Sequence, residues 1–253
     1  MSASVAREVI TQIANKSWKL GCSTAQPQHA PAMAQLYNKM WCNYNPMVQA
    51  FGLTEEDHLS IAESEVQRGI ETGCATVITA IEESSGLEQV AGLAIWEPIL
   101  VPGQTETINK FSDPKFWESL PKSNRAQFVR RYKFWENFDT TYISTLSEED
   151  KKANCLRAVG GTIKPEFFGC GIGLVGLRSV PKGAQQYGHL ADMATTIPSQ
   201  RISQKLGMEP VFEVKYQEYM DEQGCPFEGN PDMQHAAVCY RMDLDNPTLI
   251  NLD

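Results

Sequence analysis

The sequence predicts an α+β fold in which helices flank a mixed sheet. Apolar residues follow helical spacing from Pro31 to Trp41, and they alternate as in strands over residues 74–81 and 89–96. Further along, a β-prone segment at 155–163 leads through a glycine turn into an apolar, helix-like segment. Such mixing of hairpins with strand–helix connections is typical of α+β or mixed-sheet domains. Since the 253 residues contain neither an internal repeat nor a clear linker, we expect a single domain over residues 1–253.

Composition narrows the class of protein. A net charge of −9 argues against a nucleic-acid partner, and no apolar run is long enough to span a membrane. The seven cysteines are scattered, odd in number and without a C-x-x-C pair, so they indicate reduced thiols rather than a disulfide framework or a metal site. Residues 1–18 contain no apolar core of signal-peptide length. We therefore expect a cytoplasmic protein without a metal.

The first hundred residues predict six elements in order. Thr54 has the character of a helix N-cap, and the helix before it stops at Asn45 because a residue that precedes proline is disfavoured in helices. The six elements are a helix over residues 5–13, a strand over 18–22, a helix from Pro31 to Trp41, a helix from Thr54 to about Gly73, and a hairpin of strands over 74–81 and 89–96.

Residues 98–154 form a helical, aromatic-rich insert. Its first half is interrupted by prolines, whereas Phe128, Tyr132 and Trp135 share one helical face. This face suits either a lid over a hydrophobic substrate or an inserted helix that packs on the sheet. The second interpretation is favoured because helical aromatic stripes normally bury themselves. The elements that follow are a short helix capped by Ser147, a strand over 155–163, the glycine turn and its helix, a strand over 190–195, a helix over 199–206, and strands over 211–219 and 236–242.

The glycine turn at residues 168–173 has a geometry suited to holding phosphate. A strand enters it, glycines alternate through it, and a helix starts after it. Glycines let a ligand approach the backbone closely. The first N–H groups of a helix have no internal partner and lie at the positive end of its dipole. The first hypothesis is therefore a phosphorylated cofactor.

Residues 171–176 also match the dinucleotide-binding pattern G-x-G-x-x-G, and Asp192 occupies the position of its ribose-binding acid. Residues 164–168 nevertheless separate these glycines from the strand, and Pro181 would interrupt the packing helix. Too few residues follow for the rest of a doubly wound sheet. A dinucleotide-dependent oxidoreductase is thus the less favoured interpretation. A nucleotide-triphosphate loop is excluded because no Walker lysine follows the glycines.

The order of these elements resembles that of the GCN5-related N-acetyltransferases (GNATs). In that family the pyrophosphate loop runs Arg/Gln, any, any, Gly, any, Gly/Ala. Residues 168–173 match its glycines, but Phe168 occupies the first position. The closer resemblance is to the invertebrate arylalkylamine, or dopamine-type, N-acetyltransferases. It rests on Gly171-Ile172-Gly173, on the run from Ser199 to Met208, and on Val211-Phe212 with the downstream Tyr216 to Tyr219.

The resemblance implies a mostly antiparallel sheet with splayed central strands, and acetyl-CoA as the cofactor. Because Phe168 is not basic, Arg201, or alternatively Arg178 or Lys182, is expected to meet the phosphates, and binding is expected to be weaker but not absent. The implied cofactor-binding residues are Gly161, Thr162 and Ile163 on the splayed strand, and Phe168, Gly169, Cys170, Gly171, Ile172 and Gly173 in the loop.

The implied reaction is transfer of an acetyl group to the primary amine of a small molecule by direct attack. An alkylamine is largely protonated at neutral pH and must lose a proton before it attacks. In the dopamine-type enzymes a Glu before a Pro is associated with this step. Here Asn45-Pro46 stands in that place and is expected to contact the amine.

The family's two serines correspond to Thr195 and Ser199. Both hydroxyls are candidates to protonate the leaving thiolate or to order a water chain, and helix capping is the structural alternative for each. Glu97, Asp192 and Glu213 are other candidate acids, although an ordinary structural or surface carboxylate is the favoured interpretation for each. The isolated His58 and His235 carry no sequence signal.

Two further interpretations stay open beside the enzyme. The loss of an acid at Asn45 and of a basic residue at Phe168 is compatible with a non-catalytic or weakly active acyl-CoA-binding homologue. The dinucleotide-dependent oxidoreductase is the other. The sequence indicates a small-molecule amine as the partner, without naming the amine, the acyl chain or the oligomeric state.

Overall fold

The computed structural model of the protein describes residues 9–13, 16–99, 118, 122, 124–230, 233 and 235–252. Its strands are β1 (Val9–Ile13), β2 (Lys16–Thr24), β3 (Ala75–Glu82), β4 (Glu88–Pro98), β5 (Cys155–Ile163), β6 (Ser179–Val180), β7 (His189–Ala194), β8 (Glu209–Lys215), β9 (Ala236–Asp243) and β10 (Ile250–Asn251). Its α-helices are α1 (Ala30–Tyr44), α2 (Pro46–Ala50), α3 (Glu55–Glu71), α4 (Arg125–Thr145), α5 (Glu148–Lys152), α6 (Ile172–Arg178) and α7 (Ile197–Lys205).

Eight of these strands form one sheet in the order β1-β2-β3-β4-β5-β7-β9-β8. Every neighbouring pair is antiparallel except β5 and β7, which run parallel. A parallel pair needs a crossover, and α6 lies in that connection. The predicted mixed, mostly antiparallel sheet flanked by helices is therefore confirmed. A small two-stranded sheet of β6 and β10 was not anticipated.

The two central strands separate soon after they meet. β5 pairs with β7 only over Cys155–Arg157, although β5 continues along β4 to Ile163 and β7 continues along β9 to Ala194. At the same point a bulge interrupts β5: Ala158 faces Trp96 and Gly160 faces Ile95, so Val159 has no direct partner on β4. Bulges bend a strand and end its pairing. The expected splay of the central strands is confirmed, and we call the gap between them the cleft.

Buried ion pairs surround the point where the strands separate. The Arg157 guanidinium, in a side chain only 5% exposed, contacts Asp139 of α4 at 2.6 Å and Glu97 of β4 at 3.0 Å. The second oxygen of Glu97 contacts Arg68 of α3 at 2.8 Å. Removing one member of a buried pair leaves its partner's charge uncompensated, at a cost of about 3–5 kcal/mol. This network therefore ties two helices and two strands together at the start of the cleft.

Helices α1, α3 and α4 share one hydrophobic core on the sheet. Val77, Leu93 and Ile95 contribute to this core, whereas Ile78 and Trp96 belong to clusters that α6 joins. Successive side chains of a strand point to opposite faces, so the helices cover both faces of the sheet. The site therefore forms where these two layers meet the edges of β5 and β7.

The aromatic face of α4 packs inside the protein. Phe128, Tyr132 and Trp135 are buried, and the Phe138 ring lies 5.3 Å from that of Phe212 on β8. Of the two interpretations of the insert, packing on the sheet is confirmed for this helix. Most of the proline-rich first half of the insert lies outside the described residues.

Two element predictions are wrong. Val9, Ile10 and Ile13 belong to strand β1, which pairs with β2, rather than to a helix, and Val5 lies outside the described residues. β-branched residues favour strands, and a neighbouring strand was available to pair with them. The strand predicted to reach Tyr219 ends at Lys215, where a 3₁₀ turn over Tyr216–Glu218 takes over.

Gly160 supplies a direct test of the packing at the cleft. A Cβ added there would lie 2.5–2.8 Å from three atoms of the Tyr37 ring, whereas one added at Gly161 would meet only the Leu93 carbonyl, at 3.9 Å. We expect Gly160→Ala to lower the free energy of unfolding by about 1–3 kcal/mol through overpacking. Gly161→Ala, the matched control, should leave it unchanged or raise it by up to about 1 kcal/mol. Urea denaturation measures both, and equal effects would contradict this packing.

Buried His58 predicts a pH dependence of stability. Its side chain is fully buried, stacks on Trp41 and contacts the Asn38 amide oxygen at 3.1 Å through Nδ1. Burial, with a smaller contribution from Arg131, lowers the pKa of His58 from 6.5 to about 3. Below pH 6.5 the unfolded chain therefore binds a proton that the folded protein does not, and stability falls as pH falls.

At pH 5 the loss attributable to His58 should be about 2 kcal/mol, since each pH unit corresponds to about 1.4 kcal/mol. Urea denaturation of the wild type and of His58→Gln between pH 7 and pH 5 isolates this contribution, because the other titrating groups are common to both. Parallel pH dependences in the two proteins would show that His58 is not buried in neutral form.

Candidate functional site

The glycine turn begins as soon as β5 ends. A 3₁₀ turn over Pro165–Phe167 follows the strand, and Gly171 is the N-cap of α6. Gly169 and Gly171 have φ angles of 82° and 80°, which non-glycine residues rarely adopt. Nothing lies within 4 Å of a Cβ added at either position, so the backbone conformation rather than crowding requires glycine. The space beside the turn is open to a ligand.

The turn presents a row of unpaired backbone donors. In the described part of the chain, the N–H groups of residues 169 and 171–173 have no hydrogen-bond acceptor. The Cys170 thiol donates to the Phe167 carbonyl, so it is engaged within the turn itself. Convergent N–H groups at a helix start form an anion-binding concavity. The turn therefore has free backbone donors at the start of a helix, and phosphate binding there stays a prediction.

The basic residues differ in their position relative to the turn. Arg178 ends α6, so it lies at the other end of that helix from the N–H groups. Arg201 is exposed on α7, and its neighbour Ile202 comes within 3.4 Å of a Cβ added at Gly173. Arg201 thus lies on the helix beside the turn, and Arg178 is not in a position to serve it. Phe168 itself is 58% exposed and contributes no charge.

The edge of β5 beyond Arg157 forms one wall of the cleft. Gly161, Thr162 and Ile163 pair with β4 through one edge. Their other edge faces the cleft, because β7 has already separated from the strand. An unpaired strand edge offers N–H and C=O groups to an extended ligand. These are the residues at which the sequence resemblance places the cofactor chain.

Asn45 and Thr195 meet across the fold, although 150 residues separate them in sequence. The Asn45 amide nitrogen lies 3.5 Å from the Thr195 hydroxyl, and both side chains are buried. Asn45 ends α1 and caps α2, its side-chain oxygen accepting the Met47 N–H at 3.0 Å, while Pro46 begins α2. Thr195 follows the last residue of β7. The structure thus brings together the two positions that the resemblance implies for catalysis.

Ser199 has the geometry of a helix cap. Its hydroxyl donates to the Thr196 carbonyl at 2.8 Å and accepts the Thr196 N–H at 3.1 Å. Thr196 is the N-cap of α7, and the two residues form a capping box. Of the two interpretations of this serine, its contacts in the structure are those of capping.

Tyr216 and His235 complete the surroundings of Thr195. The Tyr216 hydroxyl and the His235 Nε2–H donate to the Thr195 carbonyl, at 2.9 Å and 3.0 Å, and the two rings lie 5.3 Å apart. Sequence reasoning missed His235 because no local motif marks an isolated histidine 40 residues beyond its contact.

The other candidate acids lie in different environments. Glu97 belongs to the buried ion network with Arg157. Asp192 is buried in β7 and accepts the Ser203 hydroxyl at 2.6 Å, and burial raises the pKa of its carboxyl group. This also accounts for the residue that the dinucleotide pattern assigned to a ribose. Glu213 is exposed on β8.

A groove of about 960 Å³ lies along α1. Leu36, Met40 and Tyr44 form its helical wall, residues 88–90 of β4 face them, and residues 164–166 close it beside the turn. At its end the rings of Tyr44 and Phe168 lie 6.5 Å apart, edge to face, and both are more than half exposed. The groove has the volume of a small-molecule site.

The described part of the chain contains neither a candidate metal site nor a helix able to span a membrane. Its acidic, histidine and cysteine side chains form no group of three or more able to hold a metal ion. Among its helices, none combines the length and the apolar character needed to cross a membrane.

Solved structures share this architecture over most of their length. Arylalkylamine N-acetyltransferase 7 of the mosquito Aedes aegypti superposes with a TM-score of 0.67 over 97% of each chain, at 14% identity. Arylalkylamine N-acetyltransferase 2 of Aedes aegypti gives 0.65 over 89% of this chain and 99% of its own, also at 14% identity. The Drosophila melanogaster polyamine N-acetyltransferase gives 0.58 over 88% and 99%, at 15% identity.

Sequence comparison does not assign the chain to a protein family. The chain matches no protein-family model and no curated protein sequence. At 14–15% identity the structural neighbours establish the fold alone. Together with the parallel β5–β7 pair and its splay, they show that this protein has the fold of the GCN5-related N-acetyltransferases, as the sequence predicted.

Proposed function

We propose that the protein is an N-acetyltransferase that moves an acetyl group from acetyl-CoA to the primary amine of a small molecule. The observation that carries this proposal is the cleft between β5 and β7, which leads to a turn whose N–H groups at residues 169 and 171–173 have no acceptor in the described part of the chain. A strand edge and an anion-binding turn in series match a ligand with an extended amide chain and a pyrophosphate.

The structural neighbours support the class of acceptor. Two carry the name arylalkylamine N-acetyltransferase, and a third is a polyamine N-acetyltransferase that forms N-acetylagmatine. All act on amines by these names, and this chain shares their fold. The groove along α1, whose lining includes Tyr44, is the proposed binding surface for the amine.

The residues of the site then have distinct parts in the reaction. The N–H groups of residues 169–173 hold the pyrophosphate, with Arg201 beside them, and the free edge of residues 161–163 holds the extended chain. Acetyl-CoA supplies an activated thioester, so the amine attacks directly and no covalent enzyme intermediate is needed. Asn45 and Pro46 border the amine, and the Thr195 hydroxyl is placed to protonate the departing thiolate.

Two subsidiary proposals concern the chain as a whole. We propose a cytoplasmic protein, which is supported by its seven cysteines, all free thiols. We also propose that residues 1–253 form one domain, since one continuous sheet includes strands from both halves of the chain. Limited proteolysis tests the second, because a single domain should yield no stable fragment of half its length.

Product analysis tests the enzymatic proposal directly. The protein is incubated with acetyl-CoA and a panel of arylalkylamines, polyamines and simple alkylamines, and mass spectrometry detects the amides. Thiol detection is unsuitable because the protein itself carries seven free thiols. Isothermal titration with acetyl-CoA and with NAD accompanies the assay, and we expect binding of acetyl-CoA alone.

The second candidate is a non-catalytic acyl-CoA-binding protein. The observations that favour it are the amide of Asn45, which cannot accept a proton, and the uncharged Phe168 in the turn. Binding of acetyl-CoA without acylation of any amine would establish it and contradict the enzyme. Binding of NAD in place of acetyl-CoA would contradict both.

Replacing Phe168 with arginine is expected to raise the affinity for acetyl-CoA. An arginine at this exposed position adds a charge beside the pyrophosphate, so Phe168→Arg should bind acetyl-CoA about fivefold more tightly, or about 1 kcal/mol. The gain should shrink as salt rises. Titration calorimetry of Phe168→Arg against Phe168→Leu separates the new charge from the loss of the ring. Equal affinities in the two variants would show that the pyrophosphate does not lie at this turn.

Replacing Asn45 with glutamate is expected to raise kcat. A carboxylate at this position can take a proton from the substrate ammonium, and a well-placed base contributes roughly 10²–10⁴-fold. We expect Asn45→Glu to raise kcat by about tenfold or more, measured as amide formation at pH 7. Asn45→Gln is the matched control, since it has the same length and no basic group. If both variants have the same kcat, a base at position 45 is not what limits the rate.

A further inference from the structure

The segment Ile250–Leu252, which we call the strap, lies beside the end of α6. Its strand β10 pairs in parallel with β6, which follows α6 directly. The two residues of β6, Ser179 and Val180, are fully buried, and in the described part of the chain β10 is the strand that pairs with them. Buried backbone groups need hydrogen-bond partners. The position of β6 therefore depends on the strap.

Hydrogen bonds to Leu252 hold the strap in place. The Leu252 N–H donates to the Val180 carbonyl at 2.8 Å, and the Gln185 side-chain amide donates to the Leu252 carbonyl at 2.7 Å. The same amide also donates to the Val180 carbonyl, at 3.4 Å. Gln185 thus joins the strap to the segment that leads from α6 to β7.

The Leu252 side chain belongs to the hydrophobic cluster on which the glycine turn packs. It is only 2% exposed, and the cluster includes Phe167, just before the turn, and Ile172, within it, both 1% exposed. Cys170 of the turn is partly buried and packs against the same cluster, whose other buried members come from β2, β3 and β4. The strap and the turn at residues 168–173 therefore share one buried cluster.

Helix α6 is too short to fix the turn by itself. It has seven residues, whereas isolated helices shorter than about 12–15 residues are only marginally stable in water. Tertiary contacts at its two ends must therefore set its position. At its start Ile172 belongs to the buried cluster, and at its end β6 pairs with the strap. The strap takes part in the contacts at both ends.

We propose that the strap holds the glycine turn in the geometry that binds the pyrophosphate of acetyl-CoA, with Leu252 as the positioning residue. This inference rests on the proposed binding of acetyl-CoA at the turn. A binding site that is already in its bound conformation loses less entropy when the ligand binds. Leu252 is not a proposed cofactor contact, and it acts through the cluster that it shares with Ile172.

Substitution of Leu252 tests the strap through the affinity for acetyl-CoA. Leu252→Asp places a charge in an apolar cluster, so release of the strap is favoured. We expect titration calorimetry to give a Kd about tenfold higher, which corresponds to a correctly placed turn in about one molecule in ten. Leu252→Met keeps an apolar side chain of similar volume and should stay within about twofold of the wild type. Circular dichroism confirms that each variant is folded.

A second pair of variants controls for a general loss of stability. Leu252→Ala and Leu146→Ala make the same change at two buried leucines, but Leu146 follows α4 and belongs to a different cluster. Both should lower the free energy of unfolding. We expect only Leu252→Ala to weaken acetyl-CoA binding, by about threefold or more. This pair also carries the test if Leu252→Asp does not fold.

Hydrogen exchange in the wild type tests the same coupling without a substitution. Coupling between two sites is reciprocal, so bound acetyl-CoA should in turn hold the strap in place. At saturating acetyl-CoA we expect the Leu252 amide, which donates to Val180, to exchange about tenfold more slowly. The Leu249 amide, which donates to the Asn246 carbonyl at 3.0 Å just before the strap, is the control and should keep its rate.

Each outcome bears on one proposal or on both. Wild-type affinity for acetyl-CoA in folded Leu252→Asp and Leu252→Ala would overturn the strap and leave the proposed function intact. Equal weakening in Leu252→Ala and Leu146→Ala would do the same, because it would report general stability. A wild type that does not bind acetyl-CoA would overturn both proposals. Weaker binding confined to the Leu252→Asp and Leu252→Ala variants, with slower exchange of the Leu252 amide in the wild type, would establish the strap.

Discussion

The separation of β5 from β7 after Arg157 is the constraint on which the rest of the structure depends. A parallel pair would normally continue its ladder, but the bulge at Val159 turns β5 away with β4, and β7 stays with β9. The Arg157 ion pairs with Glu97 and Asp139 lie at that point and join the sheet to α4. Because these charges are buried, shifting any one of them would leave an uncompensated charge.

Every group of chemical interest reaches the cleft from an element anchored near this separation. Helix α1 delivers Asn45, and the end of β7 delivers Thr195. The turn after β5 ends at Gly171, the N-cap of α6. A strand that separates from its neighbour exposes both an unpaired edge and the turn that follows the strand. The site is therefore a consequence of one interrupted ladder.

Prediction from sequence succeeded where local interactions decide the structure. Thr54 and Ser147 cap their helices with full capping boxes, and α1 ends at Asn45 because Pro46 follows. It failed where pairing or packing decides. Residues 9–13 form a strand because β2 lies beside them. The spacing of apolar residues over 5–13 was compatible with a helix, and only a neighbouring strand could select the alternative.

By itself, the sequence determined the mixed sheet with its flanking helices and the glycine turn, since each follows from side-chain chemistry within a few residues. The tertiary structure alone decided which distant groups meet. It placed Asn45 against Thr195, the Tyr37 hydroxyl between Val159 and Glu65, and His235 on the Thr195 carbonyl. Such contacts join segments up to 150 residues apart, and no local propensity encodes them. They arise only once the core has packed the helices against the separated strands.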